Sequence, residues 1–252
     1  MFGMAGETEF DVRFQIFGIP VRIHPVFWLS SAWLVWGPAN RRPELIFIGV
    51  LCVLISVLVH ELGHALMARR FGYPSEIVLY FLGGYATSTH FSTWRRVKVS
   101  AAGPGAGLVL FAVTWAITYF SPDLFFQSPG FEFAMYIMLF ANLVWNIMNL
   151  VPCLPLDGGN IMAALLYHYR IRSPETVVRQ VCIASSGFVA LWGTYCFQQN
   201  SQGLPANVIP LPSWMVPGIN VDAIQPDPKF LIIMFGLLCA HHVSEYNNIR
   251  RY

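Results

Sequence analysis

The chain has 252 residues, of which 56% are hydrophobic and only 11% charged, with a formal net charge of +2. A composition this apolar and charge-poor excludes an ordinary soluble domain and places the chain among membrane proteins. So small a net charge gives no basis for binding nucleic acid. The five cysteines (Cys52, Cys153, Cys182, Cys196, Cys239) are odd in number and lie in or beside hydrophobic segments. They read as small buried side chains rather than as a disulfide framework.

The first twenty residues carry Glu7, Glu9, Asp11 and Arg13 without a continuous apolar core. They do not read as a signal peptide, so entry into the membrane is expected on internal helices. Over residues 10–24, Phe10, Val12, Phe14 and Ile16 alternate with polar residues, Gly18 to Pro20 interrupt, and Val21, Arg22 and Ile23 alternate again. This pattern predicts an interfacial β-hairpin, making residues 1–24 an N-terminal β segment ahead of an integral membrane domain over 25–252.

A first, short span is expected over 25–36, with Trp28, Trp33 and Trp36 suited to interface positions. The second is clearer. Pro43 and Glu44 open it, and Arg69, Arg70, Gly72 and Pro74 close it. Residues 44–70 would make a helix of roughly 40 Å, enough to cross a bilayer with some tilt. Near its C-terminal end stand His60, Glu61 and His64. Positions four apart lie almost above one another on a helix, so His60 and His64 can reach one metal ion, and Glu61 is placed to act as a base beside it. Ionisable groups at membrane depth each cost roughly 2.5–3.5 kcal/mol and seldom sit there without a use.

Residues 73–100 are not helical in pattern. The β-rich run from Ile77 to Leu82 is stopped by Gly83 and Gly84, with residues 85–89 after it, and predicts a short hairpin between the second and third helices. Arg95, Arg96 and Lys98 follow. The third span is expected over 99–120, and its opening run AAGPGAG reads as tight helix packing. Further spans are expected over 131–151, 181–197 and 230–241, with a shorter helix over 160–169. The result is a membrane all-α bundle of six helices with short β-strands, its core at 44–170 and additional helices over 181–252.

Loop charges orient the bundle. Arginines and lysines collect between spans two and three (Arg69, Arg70, Arg95, Arg96, Lys98), between four and five (Arg170, Arg172, Arg179) and at the end (Arg250, Arg251). The loops over 121–132 and 198–228 carry acidic residues and only Lys-free, Arg-free polar stretches. The positive-inside rule then puts both termini in the cytoplasm, with Arg41 and Arg42 as the one exception.

A second motif, NLVPCLPLDGG over 149–159, ends the fourth span towards the same side as the histidines. Pro152 and Pro155 break the helix, and Gly158 with Gly159 lets backbone come close to a neighbour. Asp157 has two readings, an N-cap for the helix over 160–169 and a metal ligand. Its depth, shared with the histidine helix, favours the ligand. Two histidines, one carboxylate and a position open to water are the donor set of a catalytic zinc site.

Together HELGH over 60–64 and NLVPCLPLDGG resemble the site-2 protease family of intramembrane zinc metalloproteases, whose second motif runs Asn-x-x-Pro…Leu-Asp-Gly. FGIPVRIHP over 17–25, the Gly83-Gly84 turn and AAGPGAG support the resemblance, which spans residues from about 10 to about 170. It implies one Zn2+ per chain held by His60, His64 and Asp157, with Glu61 as catalytic base and Asn149 helping to hold substrate or oxyanion. It also implies a transmembrane protein or peptide as substrate, in a lipid bilayer; the loop-charge orientation puts the site towards the cytoplasmic side. The chain departs from larger members in offering no room for a PDZ module or CBS domains; oligomeric state is left open. The rival readings are a transporter or channel with a structural metal and an inactive binding scaffold. His24, His90, His168 and the adjacent pair His241 and His242 are set aside as ligands, and Cys153 stands well behind Asp157.

Overall fold

The computed structural model describes residues 6–81, 83–86, 92–121, 128–204, 206–209 and 227–249. The loop over 198–228, the C-terminal arginines, His90 and the end of the 85–89 stretch fall wholly or partly outside them. The chain divides into two compact units, residues 1–90 with 102–143, and residues 91–101 with 144–252.

In the first unit, β1 (Val12–Ile16) and β2 (Ile19–Ile23) form the expected hairpin, Val12 opposite Ile23 and Ile16 opposite Ile19. Its two-residue turn puts Phe17 and Gly18 both at positive φ, which matches the right-handed twist of the strands. The sequence predicted two separate β elements. Instead β2 also pairs in parallel with β3 (Ile77–Tyr80), which pairs with β4 (Gly83–Ala86), giving one four-stranded sheet ordered β1-β2-β3-β4. Ile19, Val21 and Ile23 of β2 and Ile77 and Leu79 of β3 are fully buried, whereas β1 is largely exposed. Asp11 anchors the hairpin: it accepts from Thr8 Oγ1 at 2.6 Å and from Arg22 Nη1 at 2.9 Å. These two donors hold its carboxyl well below the usual carboxylate range.

His24 caps α1 (Pro25–Trp36), its Nδ1 accepting from Val26 N–H at 3.2 Å. Helix α2 (Pro43–Arg70) begins with proline at its first turn and ends at Phe71, followed by Gly72 at positive φ. Its buried residues run Leu45, Gly49, Cys52, Val53, Ser56, Val57, His60, Glu61, His64, Ala65, Ala68. That is one continuous stripe at helical spacing, and the three ionisable residues lie on it. Deeper in the same unit, Asn142 donates to Ser56 Oγ at 2.9 Å and to Met138 O at 2.8 Å, tying α2 to α4 (Pro129–Asn149) one helical turn before His60.

Helix α3 (Thr93–Phe120) starts six residues before the expected span, because the basic stretch Arg95–Lys98, read as loop, is its first turns. In the second unit this stretch holds α5 (Asp157–His168): Arg96 Nη2 donates to Asn160 Oδ1 at 2.9 Å, and Trp94 meets the His168 ring edge-on. Helix α6 (Pro174–Ser201) likewise starts before the expected 181, since Pro174 supplies its first turn and Glu175, Arg179 and Gln180 are helical. It packs antiparallel on α7 (Pro228–Ile249), with Arg179 3.5 Å from Glu245 at one end and Lys229 over Phe197 at the other.

The architecture is therefore mostly helical with a small sheet. Among the described residues, α2, α3, α4 and α6 are long and apolar enough to cross a membrane; α1 is apolar but has only 12 residues, and α7 is not among the four.

Candidate metal centre

His60 and His64 meet as their spacing requires. Their Nε2 atoms lie 3.1 Å apart, and the rings are nearly perpendicular, at 80°. Two imidazole nitrogens bound to one tetrahedral Zn2+ at about 2.05 Å would stand about 3.3 Å apart, so the pair already has a chelating spacing. His60 is 3% exposed, Glu61 5% and His64 9%. Imidazole nitrogens are donors that Zn2+ takes, which fits the His60 and His64 pair to the ion.

Nothing in the sequence signals the close approach to the Nε2 edge of His64. A Cβ on Gly103 would overlap the His64 imidazole, and one on Gly63 would overlap the Ala102 carbonyl. The AAGPGAG run thus packs directly against the His64 ring, where the pattern had suggested only tight helix packing. No local feature of the run distinguishes the two.

The remaining site residues belong to the second unit. Asp157 is the first residue of α5, half-buried; the N-cap is Leu156, and no side-chain cap bond forms there. Asn149 ends α4, its Nδ2 donating to Trp145 O at 3.0 Å. Cys153, Cys182 and His242 form a further buried cluster in this unit, with potential donor atoms all within 4.8 Å of one another. Sequence could not bring together residues so far apart in the chain.

A family model described as peptidase family M50 matches residues 48–134 and 123–193, more than half of the chain and both motifs. The chain belongs to peptidase family M50. This is the site-2 protease family that the two motifs resemble. The chain is 31% identical over 162 residues to a zinc metalloprotease of Methanocaldococcus jannaschii, covering 63% of this chain and 46% of that one. It is 29% identical over 152 residues to stage IV sporulation protein FB of Bacillus subtilis, covering 58% and 48%. The chain thus spans less than half the length of these relatives. Among solved structures it matches a site-2 protease from Methanocaldococcus jannaschii at a TM-score of 0.55, over 94% of this chain and 95% of that one, with 19% identity. At that identity the likeness is one of fold.

Proposed function

We propose that this M50 chain is an intramembrane zinc metalloprotease that hydrolyses peptide bonds within or near transmembrane segments of membrane-tethered proteins. The observation that carries the reading is the paired His60 and His64 Nε2 atoms, with Glu61 beside them, on the buried stripe of a helix long enough to cross a bilayer. His60, His64 and Asp157 hold one zinc ion; Asp157 stands where the second motif of the family has its aspartate. Six spans, cytoplasmic termini and a site opening to the cytoplasmic side complete the proposal, on the strength of the loop charges.

Zinc, when bound, supplies Lewis acidity towards the scissile carbonyl and a water whose pKa falls to about 7. Glu61, beside the two histidines, would serve as the base that takes a proton from the attacking water and passes it to the leaving amide nitrogen. Asn149, at the end of α4, offers an amide to the substrate or to the developing oxyanion. A substrate in a regular helix hides its carbonyls in hydrogen bonds, so it must unwind; β4, the last strand of the sheet, offers a backbone edge for strand addition.

The test is a pair of variants reconstituted with a single-span peptide. Glu61→Gln should retain one zinc per chain and lose cleavage; Asp157→Asn should lose both. Cleavage at the normal rate by Glu61→Gln removes the base assignment. A wild-type protein that binds zinc yet cleaves no membrane peptide would favour a transporter, channel or binding scaffold.

A further inference from the structure

The buried cluster of Cys153, Cys182 and His242 lies outside the proposed catalytic set, and its donor types first suggest a second metal. The hydrogen bonds of His242 argue otherwise. Arg179 Nη1 lies 3.0 Å from His242 Nδ1, and His242 Nε2 lies 2.8 Å from Leu154 O. A guanidinium can only donate, so Nδ1 is the acceptor and Nε2 carries the proton given to the carbonyl. Both ring nitrogens are committed, and neither offers a lone pair to an ion. A ligating histidine turns its outer nitrogen, as an N–H, towards an acceptor; here an arginine donor faces the ring. What His242 does is fix the backbone at Leu154.

That backbone in turn holds both sulfurs. Leu154 N–H donates to Cys182 Sγ at 3.2 Å, and Cys153 Sγ lies 3.4 Å from Leu154 O as a donor. A bond received by sulfur favours the thiolate, whereas a bond given by S–H keeps the thiol. The two cysteines are therefore differentiated: Cys182 is arranged as the nucleophile, and Cys153 as its protonated neighbour within 4.8 Å.

We propose that Cys153 and Cys182 form a reactive dithiol that a hydroperoxide converts to a disulfide. The Cys182 thiolate attacks one peroxide oxygen, the O–O bond breaks, and the leaving oxygen departs with a proton as water or alcohol, leaving Cys182 sulfenic acid. The Cys153 sulfur then attacks the Cys182 sulfur; the S–S bond forms, the S–O bond breaks, and the hydroxyl leaves with the Cys153 proton as water. Two thiols lose two electrons and two protons, and the hydroperoxide is reduced by the same two electrons. A small neutral peroxide crosses lipid and needs no aqueous channel to the site.

The position of the bridge gives it a consequence. Cys153 O accepts from Leu156 N–H at 2.9 Å, and a Cβ on Gly159 would overlap the Cys153 carbonyl carbon and Leu154 N. The Cys153 backbone is thus wedged against the first turn of α5, on both sides of Asp157. A disulfide would tie that turn to α6. An effect on cleavage rests on the protease reading above; formation of the bridge does not.

The experiment uses the full chain in lipid vesicles, both wild type and Glu61→Gln, exposed to graded hydrogen peroxide, then quenched, denatured, alkylated and weighed intact. Two of the five thiols should resist alkylation, peptide mapping should place the bond between Cys153 and Cys182, and dithiothreitol should restore all five. Both proteins should behave alike, which separates this result from failure of the catalytic assignment. In Cys153→Ser, Cys182 should accumulate a dimedone adduct; in Cys182→Ser, Cys153 should stay unmodified. Should the serine variants fail to fold, the wild-type mapping decides alone. Five alkylated thiols at every peroxide dose, or a bridge from Cys182 to Cys239 instead, overturns the proposal. So does a second zinc per chain that Cys182→Ser removes, which would make the cluster a metal site.

Discussion

Gly103→Ala tests the proposed metal centre without replacing a proposed ligand, because it crowds the Nε2 edge of His64. The added Cβ would overlap the His64 imidazole, in a helix where backbone cannot easily recede. Carbon and nitrogen need about 3.4 Å between them, so the ring must shift by about 1 Å or α3 must back away. A misplacement of that size costs about 100-fold in catalysis, and mispositioned ligands commonly lose about 10- to 100-fold in metal affinity. Overpacking adds about 1–3 kcal/mol of destabilisation, offset by up to about 1 kcal/mol from the higher helix propensity of alanine. Gly105→Ala is the internal control, because none of the described residues lies within 4 Å of a Cβ there, and it should be neutral or slightly stabilising. The assays are zinc retention against a graded chelator, thermal unfolding in detergent, and cleavage in vesicles. Wild-type zinc retention and cleavage in Gly103→Ala would refute the idea that this glycine seats His64. Equal damage from Gly105→Ala would refute it too.

Further expectations follow from the same structure. Chelating zinc from the intact protein should abolish cleavage and lower the unfolding temperature, with both restored by added Zn2+; cleavage that survives full removal of the metal would exclude a metalloprotease. Because the folded-state pKa of Asp11 is depressed, its stabilisation is present above the unfolded value of about 4 and is lost as pH falls through the lower folded value. Hydrogen exchange of residues 6–24 should therefore stay slow down to about pH 4 and quicken in stronger acid, whereas Asp11→Asn should exchange faster at neutral pH and lose that dependence. Asn142→Leu removes a buried donor to Ser56 and Met138 and should cost about 1–3 kcal/mol in denaturant unfolding. Ser56→Ala should cost less, about 1 kcal/mol, since it deletes one partner of one of these bonds.

The helices that sequence located well are those whose ends carry local chemistry. Pro43 and Glu44 at one end of α2, and Arg69, Arg70 and Gly72 at the other, mark its limits to within a residue. Where polar residues continue a helix, composition misled: Arg95, Arg96 and Lys98 begin α3, and Glu175, Arg179 and Gln180 begin α6. Charge in those turns was read as loop because the expected spans were drawn by hydrophobicity, whereas a helix needs only unbroken backbone hydrogen bonds and can carry its charge on one face. The sheet shows the other kind of miss. Each hairpin was legible from alternation and glycine, but the parallel pairing of Val21 with Ile77 joins strands more than fifty residues apart. Nothing local encodes a pairing of that range.

The candidate site divides along the same line. Spacing within α2 was enough to bring the His60 and His64 nitrogens to chelating distance, because an i to i+4 relation is a property of the helix itself. Asp157 rests on the resemblance between motifs, and it is the first residue of α5. The supports around these groups were not legible. Gly103 against His64, and Arg179 and His242 around Leu154, act through contacts between helices, and their sequence neighbourhoods are unexceptional. His242 makes the point most sharply. Beside His241 it is a poor chelator on geometric grounds, yet it is 1% exposed and bonded through both nitrogens. A group so fully engaged, at the segment that precedes Asp157, shows that the turn is held by polar bonds as well as by packing. Any change that loosens His242 should therefore be felt first at Leu154 and Cys153.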